Sequence, residues 1–170
     1  MLSAECLIPT LYYPDSAGFE IDIRIPGKPA HKMKPKITSR GKFATMYNTK
    51  YTNEQTKIIS KRMKESFEKM VANSEKYPGY SAKFTRLLHE PCSVSILAMY
   101  ELAKSHHRKR KPVEMQMKTS KPDVDNITKI VLDAGNGILW KDDAQVVQCA
   151  CAKYTAKQGE EPYMIIRVTW

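Results

Sequence analysis

The sequence predicts a single α+β domain, in which a small mixed β-sheet is packed by helices in two layers. Three observations carry this prediction. The chain has 170 residues, about the length of one domain, and shows no internal repeat or linker-like stretch. Its 42% hydrophobic and 27% charged residues form a globular composition. Apolar residues recur with a period of two in some segments and of about 3.6 in others.

The N-terminal part of the chain predicts one clear strand. Residues 1–18 show little periodicity, and we expect an irregular arm or a short first strand ahead of a domain at 19–170. Residues 19–25 alternate apolar and charged side chains, which predicts a half-buried strand. The following stretch to residue 49 is rich in Lys, Pro and Gly and predicts a loop or a loose hairpin.

A helix is predicted to begin at Thr52 and to end near residue 73. Thr52 and Gln55 have the spacing of a capping box, which satisfies two backbone donors at a helix start. Apolar residues then follow at helical spacing and predict a buried face. These residues are Ile59, Met63, Phe67 and Met70.

The second half of the chain predicts three strands and a short helix. Residues 92–100 form an apolar run that indicates a strand. Residues 126–134 carry apolar side chains at helical spacing, and the Gly-Asn-Gly sequence at 135–137 ends that helix. Residues 144–154 and 163–169 read as two further strands, and we expect the short loop between them to form a hairpin.

Positive charge is concentrated in two segments. The formal net charge is +10. Residues 28–64 contain eleven Lys or Arg and one acid, and residues 104–121 contain seven and one. The rest of the chain is net acidic. This distribution indicates a polyanionic partner, although a generally basic soluble protein is the alternative.

Several classes of protein are excluded by composition. No apolar run is long enough to span a membrane, and the N-terminus lacks the basic start of a secretory signal. Four cysteines occur without a CxxC pair or a zinc-like spacing. We therefore expect a cytoplasmic protein with reduced thiols, and we expect Cys149 and Cys151 to be small core residues on one strand face.

Acidic residues cluster around the short helix. Asp123 and Asp125 precede it, and Asp143 lies in a turn just before the next strand. We expect this strand to return Asp143 to the helix N-terminus, so that the three carboxylates can hold Mg²⁺ or Mn²⁺. Such a cation activates water against a phosphodiester. Lys129, one turn into the helix, can offset charge that develops on the phosphate.

Structural readings of the same residues remain open at this point. Asp123 can be a turn residue, and Asp125 or Asn126 can be the helix cap. Lys129 can pair with Asp133 four residues later, which is worth a few tenths of a kcal/mol. The Asp142-Asp143 pair can be a solvated turn.

The segment KPDVDNITKIVLDAGNGILWKDDAQVV closely resembles the signature of RusA-type Holliday-junction resolvases. Looser similarity in the basic segments extends the resemblance from about residue 19 onward. The resemblance implies a RusA-like fold, with metal-binding acids at Asp123, Asp125 and Asp143 and a catalytic lysine at Lys129. It also implies a homodimer that uses Mg²⁺ or Mn²⁺ to cut two opposing strands of a four-way DNA junction.

The sequence thus predicts a metal-dependent, structure-specific endodeoxyribonuclease. The alternatives are a nuclease acting on flaps or other branched DNA, and a catalytically silent basic nucleic-acid-binding protein. We expect the basic segments to bind the DNA backbone. The expected DNA-binding residues are Lys28, Lys32, Lys34, Lys36, Arg40, Lys42, Arg108, Lys109, Arg110 and Lys111.

Overall fold

The computed structural model describes Ile8 and residues 19–40, 43–74 and 89–170. These residues form a five-stranded mixed sheet, a separate two-stranded hairpin and two helices, so the α+β prediction is confirmed. Predictions for Lys42 and for residues 1–18 other than Ile8 lie outside the described residues. Neither described helix is long and apolar enough to cross a lipid bilayer.

Strand β1 (Glu20–Pro26) has the predicted alternation. Ile21, Ile23 and Ile25 are buried, and the residues between them are exposed. The exposed Asp22 receives two hydrogen bonds of 2.8 and 2.7 Å from Arg167 on the neighbouring strand. One face of β1 therefore joins the core, while the other carries ion pairs at the surface.

The other strands of the sheet are β4 (Cys92–Tyr100), β5 (Gln116–Met117), β6 (Val146–Thr155) and β7 (Tyr163–Thr169). The order across the sheet is β1-β7-β4-β6-β5. Its central strand β4 (Cys92–Tyr100) is buried along its whole length, which explains its nearly continuous apolar sequence. Strand β6 (Val146–Thr155) pairs with β4 in parallel, and β7 (Tyr163–Thr169) pairs with β4 from the other side in antiparallel orientation. The predicted hairpin between β6 and β7 is therefore wrong, because β4 lies between them.

Helix α1 (Lys50–Ser74) begins two residues before the predicted start. Its cap is Thr49, whose hydroxyl accepts a hydrogen bond of 3.2 Å from the Thr52 backbone amide. The Thr52 hydroxyl instead lies 3.0 Å from that of Thr49. The predicted apolar face is confirmed, since Ile59 and Met63 are buried in the core. Phe67 and Met70 pack against the same core.

The region predicted as a loop or loose hairpin contains two short strands. Strands β2 (Lys36–Arg40) and β3 (Phe43–Tyr47) pair in antiparallel orientation, outside the main sheet. A further strand of two residues, β5 (Gln116–Met117), pairs with β6 at the edge of the sheet. This last strand is too short to produce a periodic sequence signal.

Helix α2 (Val124–Gly135) follows the acidic motif. Its predicted apolar stripe is confirmed, since Ile127, Ile130, Val131 and Ala134 are all buried. Trp140 is also fully buried, and its indole nitrogen donates a hydrogen bond of 3.0 Å to the Asn136 side chain. The Trp140 ring lies directly over Gly135, where a Cβ would overlap with ring carbons. Glycine at this position thus allows the tryptophan to close the core.

The core is divided between the two faces of the sheet. Both helices cover one face with the larger cluster, and a smaller cluster on the other face includes Leu97, Met99 and Ile8. The prediction for the cysteine pair is wrong for Cys149, which is exposed, whereas Cys151 is half-buried against the larger cluster.

Candidate active site

An open pocket of about 680 Å³ lies where four segments of the chain meet. These segments are the loop after β1, the end of β4, the stretch that leads into α2, and the loop that ends at Pro162 before β7. Its lining includes two acids, Asp123 and Glu101, and the neutral amide of Asn126. Five lysines surround the same space. They are Lys28, Lys32, Lys34, Lys118 and Lys121. A pocket with this charge attracts anionic groups.

Asp123 occupies the N-cap position of α2, which corrects the expectation that Asp125 or Asn126 is the cap. Its backbone is extended, with φ −76° and ψ 147°, and its carbonyl accepts from the Asn126 amide at 3.2 Å. The Asp123 carboxylate, however, makes no capping hydrogen bond. The side chain is exposed beside the pocket, so the helix start holds its backbone and leaves its oxygens available.

Asp125 is paired within its own helix. Lys129 Nζ lies 3.1 Å from one carboxylate oxygen, and the Asn126 side chain donates to the other at 3.2 Å. The hydrogen bond from Lys129 is the main reason that the pKa of Asp125 is lowered. The alternative pairing of Lys129 with Asp133 is not the one observed, because Asp133 accepts from Lys32 at 2.6 Å.

Asp143 begins a short 3-10 helix (Asp143–Gln145) after α2. The adjacent Asp142 is its cap and accepts from the Ala144 amide at 2.9 Å, and Gln145 completes a capping box. Asp143 itself is exposed. Within the described part of the chain, no three His, Cys, Asp or Glu side chains lie close enough together to enclose a metal ion. The expected convergence of three carboxylates is therefore not present.

Two of the three aspartates still suit a cation such as Mg²⁺, which does not need three protein carboxylates. Mg²⁺ keeps several waters and needs only one or two carboxylates together with substrate phosphate oxygens. Asp123 and Asp125 lie two residues apart at one helix start, and both are exposed. The Asp123 carboxylate has no capping role that a metal would have to displace. These two exposed carboxylates could hold such an ion together with water and substrate oxygens.

The predicted DNA-binding residues fall into different surroundings. Lys28, Lys32 and Lys34 line the pocket, although Lys32 also forms the ion pair with Asp133. Lys36 is exposed at the start of β2, and Arg40 is the last residue of that strand. The pocket lining thus contains three of the predicted DNA-binding residues.

Residues Arg108–Lys111 form an exposed basic loop that is not part of the pocket lining. Gln158 holds both ends of this loop. Its side-chain oxygen accepts from the Arg108 amide at 2.9 Å, and its backbone amide donates to the Val113 carbonyl at 2.9 Å. The four basic side chains are therefore presented to solvent by a closed loop.

Sequence reasoning missed two pocket lysines, Lys118 and Lys121. Both belong to the basic segment that precedes Asp123, and this proximity is the signal that could have found them. Lys118 Nζ donates to the Ser120 hydroxyl at 2.6 Å and lies 5.2 Å from the centre of the Tyr100 ring. Burial lowers the pKa of Lys118, and the neighbouring charges of Lys153 and Lys28 lower it further. An anion in the pocket would relieve that repulsion.

Two polar groups in the pocket wall have no hydrogen-bond partner among the described residues. They are His31 Nδ1 and the Tyr100 hydroxyl, and both atoms are buried. Burial raises the pKa of Tyr100 and lowers that of His31, and Lys28 lowers the pKa of His31 further. Both groups therefore favour their neutral forms.

Comparison with known proteins gives one family and one relative. The model of the endodeoxyribonuclease RusA family matches residues 26–169, which include the pocket segments and α2. The uncharacterized protein YqaN of Bacillus subtilis (strain 168) is similar, with 34% identity over 84 residues. That alignment covers 46% of this chain and 59% of the relative, so the chain matches about three fifths of that protein's length.

Proposed function

The chain belongs to the RusA endodeoxyribonuclease family, and from that premise we propose that it is a metal-dependent nuclease that resolves four-way DNA junctions. The proposed reaction is hydrolysis of two opposing phosphodiesters, one on each of two strands. The observation that carries the proposal is the Asp123 carboxylate, which does not cap its helix and borders a pocket lined by five lysines.

The lysines supply the attraction for DNA. A phosphodiester that enters the pocket would meet Lys28 and Lys34 from the loop after β1 and Lys118 from the stretch before α2, and each can neutralise part of its charge. The Arg108–Lys111 loop extends the basic surface beyond the pocket. Contacts of this kind are indifferent to base sequence, as recognition of a branched DNA shape requires.

The acids supply the reaction centre. We assign the metal to Asp123 and Asp125, with Asp143 as a third ligand that the family resemblance implies. A bound Mg²⁺ or Mn²⁺ would polarise the phosphate and activate water for attack. Lys129 lies 3.1 Å from Asp125, and in this proposal its ammonium would stabilise negative charge at the same phosphate.

A homodimer completes the proposal. A four-way junction has near two-fold symmetry, so a two-fold dimer can present one reaction centre to each of two opposing strands. Each protomer then needs only one pocket and one set of acids.

A cleavage assay tests the proposed function. Purified protein is incubated with a synthetic four-way junction, a flap and a linear duplex, each with Mg²⁺, Mn²⁺ or EDTA. We expect paired cuts in the junction that depend on the metal, with little cleavage of the duplex. Binding measured by gel shift should persist in EDTA. Full cleavage in EDTA would contradict the assignment of the carboxylates to a metal.

The other outcomes of the same assay identify the alternative functions. Preferential cleavage of the flap would indicate a nuclease for other branched DNA. Tight binding without cleavage under any metal condition would indicate a silent binding protein. The silent binding protein is included as an alternative because the described residues contain no preformed cluster of three carboxylates.

A further inference from the structure

Lys153 is bound to the loop that leads into the acidic motif. This residue lies on β6, and its Nζ donates hydrogen bonds of 2.8 Å to the Ser120 carbonyl and 2.7 Å to the Pro122 carbonyl. Pro122 directly precedes Asp123. The side chain thus crosses from a strand of the sheet to the residue next to the proposed metal ligand.

The same loop is connected to β6 at its other end. The Lys118 amide donates to the Lys153 carbonyl at 3.1 Å, which continues the pairing of β5 with β6. Lys118 Nζ in turn donates to the Ser120 hydroxyl at 2.6 Å. The segment from Lys118 to Asp123 is therefore tied to a rigid strand through both the backbone and the side chain of Lys153.

The hydrogen bonds of Lys153 are unusual for a lysine, because they go to backbone carbonyls. An ammonium group at a protein surface usually extends into water or meets a carboxylate. Lys153 instead directs two donors to backbone carbonyls, and charge-assisted hydrogen bonds of this kind are stronger than neutral ones. The arrangement fixes the direction of the chain on the N-terminal side of Asp123, while α2 fixes it on the other side.

We propose that Lys153 is a positioning residue for Asp123, which holds the 118–122 loop so that the Asp123 carboxylate faces the pocket. Lys153 needs no contact with DNA or metal for this role. The inference rests on the proposed function, because Asp123 must act as a ligand for its position to affect cleavage. Its structural part, the restraint of the loop, can be measured without any nuclease activity.

The experiment compares Lys153→Met, which removes the donors, with Lys153→Arg, which keeps them. The control is Lys157→Met, which removes the same charge at an exposed position just beyond β6. Amide hydrogen exchange is measured by mass spectrometry over residues 118–126 in the protein without metal or DNA. We expect exchange in this segment to be at least tenfold faster in Lys153→Met, and unchanged in the control.

Kinetics on a four-way junction provide the second measurement. In Lys153→Met we expect at least a tenfold loss of cleavage rate at saturating DNA and a higher Mg²⁺ concentration for half-maximal rate. Junction affinity in EDTA should change less than twofold. High Mg²⁺ should restore part of the rate, whereas a merely structural defect would not respond to metal. Lys153→Arg should retain most of the rate.

Each result decides the proposal. Unchanged exchange in Lys153→Met, or faster exchange with wild-type cleavage and metal dependence, would overturn it. If Lys153→Met does not fold, Lys153→Leu, which also removes the donors, takes its place with the same criteria. A wild-type protein that cleaves no DNA would instead refute the proposed function, and the exchange data would still decide whether Lys153 restrains the loop.

Discussion

The backbone of Asp123 starts a helix, but its carboxylate takes no part in capping that helix. A substitution that changes only the carboxylate can therefore test the role of this side chain. Asp123 stands at the N-cap of α2, but its carboxylate makes no capping hydrogen bond. A cap residue usually stabilises its helix by about 1 kcal/mol through that bond. Loss of the charge at Asp123 should therefore have little effect on folding and a large effect on any metal that it holds.

For Asp123→Asn we expect junction cleavage to fall about a thousandfold, which corresponds to ~4 kcal/mol of transition-state stabilisation. Junction affinity in EDTA should be equal or higher, because a negative charge that faces phosphate has been removed. The measurements are a cleavage time course, a gel-shift titration and a melting curve. Parallel loss of cleavage, binding and stability would instead indicate a structural aspartate.

Gly135 is required for steric reasons, because the Trp140 ring packs directly against it. A Cβ there would overlap with the ring of Trp140, which is buried and cannot move aside easily. We expect Gly135→Ala to lower the free energy of unfolding by about 1–3 kcal/mol, the usual cost of overpacking a core. Urea denaturation measures this change.

The matched background for this test is Trp140→Phe, which has a smaller ring. There, Gly135→Ala should cost less than it does beside the tryptophan, so the loss in the double variant should be smaller than the sum of the two single losses. Additive losses in the two backgrounds would show that the glycine is required for some reason other than the indole.

At the residue scale, local spacing identifies the acidic cluster but not the distant residue that binds the loop before it. Asp123 and Asp125 are recognisable because they immediately precede an amphipathic helix. Lys153 could not be assigned from the same pattern, since it lies some thirty residues later and meets the acidic loop only through sheet pairing. Local spacing reveals local chemistry, and contacts across the sheet depend on topology.

At the scale of elements, the basic loop Arg108–Lys111 is hydrogen-bonded to the side chain of Gln158. The Gln158 side chain bonds both the amide and the carbonyl of Arg108, at 2.9 and 3.3 Å. We expect Gln158→Ala to raise hydrogen exchange in residues 108–113 and to weaken junction binding several-fold. The net charge does not change, so a loss of affinity would reflect the loop's geometry.

A charge variant provides the comparison for Gln158→Ala. Replacement of Arg108–Lys111 by neutral residues should reduce the slope of log affinity against log salt by up to ~0.9 for each phosphate that the protein no longer neutralises. Gln158→Ala should leave that slope closer to the wild-type value. If both variants bind like wild type, the loop does not contact DNA.

The sequence predicts helices and strands correctly where an apolar pattern repeats several times. It does not predict which strands pair when they are far apart in the chain. The alternation in β1 and the apolar stripe of α2 follow from side chains that contact one core. The hairpin between β6 and β7 is wrong because β4 lies between them, and a short loop is compatible with either arrangement. The predicted start of α1 differs by two residues because Thr49 and Thr52 both offer a suitable hydroxyl.

At the scale of the whole molecule, the proposed dimer implies one reaction centre for each of two strands. A heterodimer that contains one wild-type subunit and one Asp125→Asn subunit should nick a four-way junction on a single strand. Denaturing gels with labels on all four strands measure this result, and the wild-type homodimer is the control. Paired cuts by the heterodimer within one binding event would rule out one centre per strand.

The position of β4 in the sheet also has a consequence for synthesis of the chain. Both of its neighbours, β6 and β7, come later in the sequence, and β1 cannot join the sheet until β7 exists. At about 5–20 residues per second, a ribosome needs several seconds to pass from β4 to the end of β7. During that interval the fully buried strand β4 lacks one or both of the strands with which it pairs. Nascent chains stalled before β7 should therefore be degraded quickly by added protease and bound readily by chaperones, whereas the completed chain should resist both.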